Sequence, residues 1–209
     1  MTRVFNDPSN FALEAVSGMA TAYPQYVKAV HGGVVRATAS PDGQVAVIVG
    51  GGSGHFPAFA GWVGPGMAHG AVCGNIFASP SASQAYSVAK AADNGGGIII
   101  TYGNYAGDVL HFGQAAERLR AEGYDVRTIE VSDDVASGPR DDTRKRRGVA
   151  GDVVVFKIAG AAAERGHTID EVTELAWRAN DRTRSLGVAF DGCTLPGAAE
   201  PLFHVPAGQ

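Results

Sequence analysis

The sequence lacks several features that would narrow its function quickly. Cysteine occurs only at Cys73 and Cys193, in no metal-binding spacing. This excludes a disulfide framework, and both residues read as buried free thiols of a reducing compartment. Aromatic residues make up 8% and charged residues 18%, with a formal net charge of -4. A balance so close to neutral excludes the basic face of a nucleic-acid binder or a membrane-surface protein. No apolar run reaches bilayer-spanning length. The opening residues, MTRVFNDPSN, lack the apolar centre of a secretory leader, which points to the cytoplasm. Internal repeats and low-complexity tails are absent as well.

Three active-site motifs are also missing. The glycine turn after Val49 lacks the lysine and Ser/Thr pair of a phosphate-binding loop. It is not a nucleophile elbow, because His55 stands where the second flanking glycine of G-x-S-x-G belongs. No acidic residue follows a second strand at the distance that dinucleotide binding requires.

What the chain does have is 45% hydrophobic residues and 29 glycines in 209 residues, enough for one α/β domain with a sizeable core. The stretch VAVIVGGGSGHFPAF, from Val45 to Phe59, organises the rest. Val45 to Val49 reads as a buried strand. Gly50 to Gly52 then Ser53, Gly54 and His55 make a turn at its C-terminal end, where open α/β sheets place their ligands, and Pro57 can open a short helix over Ala58 to Val63.

Around it, the pattern predicts a capped helix from Ser9 or Asn10 to about Ala22 and short strands over Tyr26–Val30 and Val34–Ala37. Next come a strand over Ala71–Gly74, a helix over Ala82–Ala92 capped by Ser79 or Ser81, and a strand over Gly97–Tyr102. A helix from about Val109 to Glu122, a strand over Val126–Val131 and a charged, solvated, mobile loop over Ala136–Arg147 follow. The basic half of that loop could alternatively meet an anionic ligand. Gly148–Arg165 reads as one long helix. A Thr168–Glu171 capping box opens another that runs to about Ser185, Val188–Phe190 is a last strand, and the LFHV of the ending is strand-like. This alternation predicts a largely parallel sheet with helices on both faces. Residues 1–186 are expected to form this unit and 187–209 the start of a second α/β subdomain.

His55 and Asp108 are the candidate catalytic residues, because each follows a glycine-containing turn at the end of a strong strand. A carboxylate facing an imidazole suits general-base work on a hydroxyl. The backbone amides of Gly52, Ser53 and Gly54 could bind carbonyl or hydroxyl oxygens, so a small polyhydroxy or carbonyl ligand is expected. An equally ready reading of Asp108 is a helix N-cap. His31, His69, His111, His167 and His204 have no partner pattern, and no metal site is expected.

The segments GGGSGHFPAFAGWVGPGM, CGNIFASPSASQ, NYAGDVLHFGQAAERLR, DDVASGPR, RRGVAGDVVVFKIAGAAAERG and GCTLPG, in that order, resemble the substrate-binding domain of the dihydroxyacetone kinase family. The resemblance runs from Asn6 nearly to the end. It implies phosphorylation of the terminal hydroxyl of a short ketose, with Gly52, Ser53, Gly54 and His55 binding substrate. Asp108 would be the general base, with His55 in a supporting role. It also implies ATP with Mg, or a phosphotransfer-system phosphoprotein, held by a separate helical domain or subunit, and a homodimer.

The chain departs from the family pattern in four places. Phe56 replaces the acidic residue of GHEP, and Gly103 replaces a lysine before NYxGD, so a four-carbon ketose such as erythrulose becomes plausible. The GIHGEPG-type motif, whose histidine binds the ketone covalently, is absent, and His204 does not match it. The donor domain is absent too. The chain is therefore expected to be the N-terminal part of a substrate-binding subunit, inactive alone. The alternatives are a non-catalytic ketose-binding or regulatory module and, more remotely, a hydrolase or dehydrogenase.

Overall fold

The computed structural model describes residues 6–208. Six strands form one sheet: β1 (Val27–Val30), β2 (Gly33–Arg36), β3 (Ala46–Gly52), β4 (Gly70–Gly74), β5 (Ile98–Gly103) and β6 (Val126–Val131). Five α-helices accompany them: α1 (Phe11–Ala22), α2 (Ala82–Ala92), α3 (Ala106–Ala121), α4 (Gly151–Glu164) and α5 (Ile169–Arg182). The strand order is β1-β2-β4-β3-β5-β6. The four strands β4, β3, β5 and β6 are mutually parallel, and the β1–β2 hairpin adds an antiparallel edge on β4. The expected largely parallel sheet is thus the observed one.

Strand periodicity sorts the core into two layers. Val47, Val49, Ile99, Ile129 and Val131 pack with Val155, Phe156, Ala159 and Val172 of α4 and α5. Ile48, Ile98, Ile100 and Tyr102 pack with Ala85, Val88, Phe112, Ala115 and Leu119 of α2 and α3. Successive side chains of a strand point to opposite faces, so β3 and β5 are apolar on both. Full burial of each large aliphatic side chain stabilises the fold by roughly 1.5–3 kcal/mol.

The Val-Val-Val-Phe run of Gly148–Arg165 lies inside α4, as its length predicts. Thr168 and Glu171 form the expected capping box on α5. Two expectations fail near the C-terminus. Val188–Phe190 and the LFHV segment are not strands, because neither finds a pairing edge, and Phe190 is 92% exposed. The Ala58–Val63 helix reduces to a 3-10 turn at Ala60–Trp62. The Ala136–Arg147 loop is not loose. Asn104 donates from Nδ2 to the carbonyls of Arg144 (2.8 Å) and Arg146 (2.7 Å), and Arg146 is buried.

Candidate functional site

Four chain segments meet at the C-terminal ends of the parallel strands around a cavity of about 440 Å³. The end of β3 supplies Gly50, Gly51 and Gly52, followed by His55 and Phe59. The turn after β4 supplies Phe77 and Ser79. The end of β5 and the start of α3 supply Gly103, Tyr105 and Asp108. The start of α4 brings Gly148, Val149 and Asp152. β3 is central here, with β4 on one side and β5 on the other, and a crevice between such neighbours is where open sheets hold ligands.

Close packing explains the glycines of the floor. A Cβ at Gly50 would stand 2.7 Å from the Val72 carbonyl oxygen, and one at Gly51 would stand 2.5 Å from the Phe59 ring. No side chain fits there, so the floor is backbone.

His55 closes the 3-10 turn Ser53–His55. Its ring lies edge-on to Phe59 and to Phe77, each centroid 6.1 Å away. Both phenylalanines have positive φ, 44° and 52°. Such backbone costs on the order of 1–3 kcal/mol per non-glycine residue and concentrates at functional sites. The two strained residues are the ones that flank the histidine.

Asp108 sits in the first turn of α3, which begins three residues before the predicted start, and Tyr105 occupies the N-cap. The N-cap reading of Asp108 is therefore corrected. Its side chain is buried and Oδ1 has no hydrogen-bond partner. Burial pushes its carboxyl above the usual range, while the Ser79 hydroxyl and the nearby His111 and His55 pull it back. Ser79 is available for this because Ser81 caps α2, in a capping box with Gln84.

Gly52, His55 and Asp108 thus converge on one cavity, whereas Ser53 and Gly54 do not line it. The Ser53 hydroxyl donates to the Gly74 carbonyl and its amide donates to Asn75 O at 3.1 Å. Both Ser53 groups are thus engaged within the turn. His204 lies exposed in the C-terminal segment, away from the cavity.

The sequence reading missed Ser79, Tyr105 and Asp152. The Tyr105 hydroxyl is pushed up by burial, against the pull of Arg147, whose guanidinium lies 4.8 Å from the ring centroid. Asp152 is buried, and its Oδ1 is unpartnered. Burial pushes its carboxyl well above the ordinary range, and the Asp133 and Asp108 carboxylates push the same way.

The residues present do not fit a Mg-nucleotide. Among the described residues, no three His, Cys, Asp or Glu side chains cluster closely enough to hold a metal ion. No lysine or arginine lines the cavity, and a helix-capping glycine loop for phosphate is missing.

Fold and cavity together define a small-ligand domain in which a buried carboxylate and an aromatic-flanked histidine face a floor of bare backbone. The L-erythrulose 1-kinase of Mycolicibacterium smegmatis is 64% identical over 208 residues, covering 100% of this chain and 36% of that protein. The L-erythrulose kinase of Pectobacterium atrosepticum is 62% identical over 209 residues, covering 100% of this chain and 35% of that protein. The dihydroxyacetone kinase from C. freundii, solved in complex with AMP-PNP and Mg2+, matches with a TM-score of 0.88 at 38% identity, over 97% of this chain and 38% of that one. The Dak1 domain family matches residues 17–209, and the chain belongs to that family. It spans about a third of the length of these three relatives.

Proposed function

We propose that this chain is the ketose-holding part of a cytoplasmic kinase that phosphorylates the terminal hydroxyl of a short ketose, erythrulose or dihydroxyacetone. The observation that carries the reading is the buried Asp108 carboxyl, with a free oxygen, beside His55 in a cavity floored by glycine backbone. The printed activities of the relatives supply the substrate class.

Asp108 accepts the proton of the reacting hydroxyl, whose oxygen then becomes the nucleophile. Burial brings the carboxyl closer to neutrality and makes it a stronger base, and Ser79, His55 and His111 favour its ionised form. His55 hydrogen-bonds the neighbouring ketose oxygen and holds the hydroxyl against Asp108. The phosphoryl donor, ATP with Mg, sits on another domain or subunit. The AMP-PNP and Mg2+ of the C. freundii kinase support ATP over a phosphoprotein.

Residues 187–208 form the start of a second subdomain. In support, Val188, Phe190 and Leu202 are each more than half exposed, the pattern of a segment whose packing partner lies elsewhere. The protein works as a homodimer.

Calorimetric titration with dihydroxyacetone and with erythrulose tests the reading. Binding of at least one ketose is expected, weakened by His55→Ala. The 209-residue chain supplied with ATP and Mg alone should turn over neither. A folded chain that binds no ketose, or one that phosphorylates unaided, would contradict the proposal.

A further inference from the structure

Asp152 is a buried carboxyl with no structural work to do. It lies in the first turn of α4, where a carboxylate ordinarily meets the free backbone amides of the helix end. Those amides are taken by another residue. Asp133 accepts from Val149 N–H at 2.9 Å and from Gly151 N–H at 2.8 Å, and also receives the Ser185 hydroxyl. Among the described residues, Asp152 has no side-chain hydrogen-bond partner. It is 7% exposed, and what it faces is the cavity. A buried polar group without a partner costs free energy that folding does not recover, and a ligand hydroxyl in the cavity would supply that partner.

Gly103 and Gly148 pack directly against it. A Cβ at Gly103 would stand 3.2 Å from Asp152 Oδ2, and one at Gly148 would stand 2.8 Å from Oδ1, so a side chain at either position would crowd the carboxyl where it borders the cavity. The Asp108 and His55 pair lies on other segments, after β5 and β3. The cavity thus draws hydrogen-bonding groups from three segments, and a three-carbon ketose has hydroxyls only at the two ends flanking its carbonyl.

We propose that Asp152 is a specificity-determining residue, its carboxyl hydrogen-bonding the additional hydroxyl that a four-carbon ketose has and dihydroxyacetone lacks. This rests on the ketose-binding reading above. The raised proton affinity of Asp152 fits the role, since a neutral carboxyl both donates to and accepts from a sugar hydroxyl. A site built to pair with a hydroxyl rejects an analogue lacking it, because the buried group is then left alone.

The test is the ratio of affinities for L-erythrulose and dihydroxyacetone, measured by calorimetry on wild type and Asp152→Ala, with thermal melting of each. Asp152→Leu, which keeps the side-chain volume, gives the same readout if the alanine variant folds poorly. Erythrulose affinity is expected to fall roughly 10- to 100-fold relative to that for dihydroxyacetone, the size of one lost buried hydrogen bond. A ratio unchanged by either substitution, or a parallel loss for both ketoses in a folded variant, overturns the assignment while leaving the ketose site standing. A wild-type protein that binds neither ketose overturns both readings.

Discussion

The two carboxylates of the cavity are expected to show their roles in different measurements. Asp108→Asn keeps the shape of the side chain and removes its ability to take a proton. On the proposed function, the protein supplied with a phosphoryl-donor domain should then bind ketose within a few-fold of wild type but lose roughly 10²- to 10⁴-fold in kcat, the usual range for a positioned base. Separate measurement of kcat and KM checks this. Asp152→Asn, by contrast, should raise the unfolding midpoint at neutral pH. Its carboxyl has a raised proton affinity in the folded state, so folding at pH 7 works against the ionisation that the unfolded chain allows. The gain should shrink as pH falls toward the ordinary carboxylate range, which thermal melts at several pH values would follow. The place of His55 and Asp108 on the cavity was legible in the sequence because each follows a glycine-containing turn at a strand end. Asp152 was not. An acidic residue in the first turn of a helix has an ordinary electrostatic reason to be there, and only the fold reveals that Asp133 already holds those amides.

Between elements, the tightest junctions involve backbone and a buried histidine. Gly51→Ala would drive a methyl into the Phe59 ring, which is backed by Trp62 and Phe156. A loss of about 1–3 kcal/mol is expected from such overpacking, read from urea unfolding. His69, 1% exposed, joins β3, β4 and α4. Its Nδ1 accepts from Val47 N–H at 3.1 Å, and Nε2–H donates to Gln44 Oε1 at 3.0 Å. Gln44 in turn donates to the Ala163 carbonyl at 3.2 Å. The ring is therefore neutral. Burial, helped by the Arg36 guanidinium, lowers its pKa from 6.5 to about 4, against the pull of Glu164. Between those values the unfolded chain binds a proton that the folded one refuses. Stability should therefore fall as pH drops from about 6.5 to about 4, by up to roughly 3 kcal/mol. Urea unfolding across that range should show the fall, and His69→Gln should flatten it. Strands and helices were readable from their apolar period, since β3, β5 and β6 are buried between helices. The start of α3 and the supposed strand at Val188 were not. Asn104–Tyr105 gives no sharp cap signal, and three apolar residues make a strand only if a neighbouring edge accepts them.

At the scale of the molecule, the sheet and its two helical layers form a unit that the C-terminal segment scarcely supports. Backbone hydrogen bonds of that segment close within it, as in the Leu202 N–H to Cys193 carbonyl bond at 2.8 Å. A chain ending at residue 186 should therefore melt within a few degrees of the 209-residue chain and keep its ketose affinity. A large drop in midpoint would place residues 187–208 in the same unit instead. The parallel sheet was legible from strand–helix alternation, whereas the antiparallel β1–β2 edge and the convergence of four segments depend on strand order, which local pattern does not encode. The glycine floor of the cavity has a consequence for molecules aimed at it. A compound that gripped only the peptide groups of Gly50 to Gly52 would rest on backbone and touch no side chain of that floor. Its selectivity would have to come from the side chains around the floor, such as His55, Asp108 and Asp152.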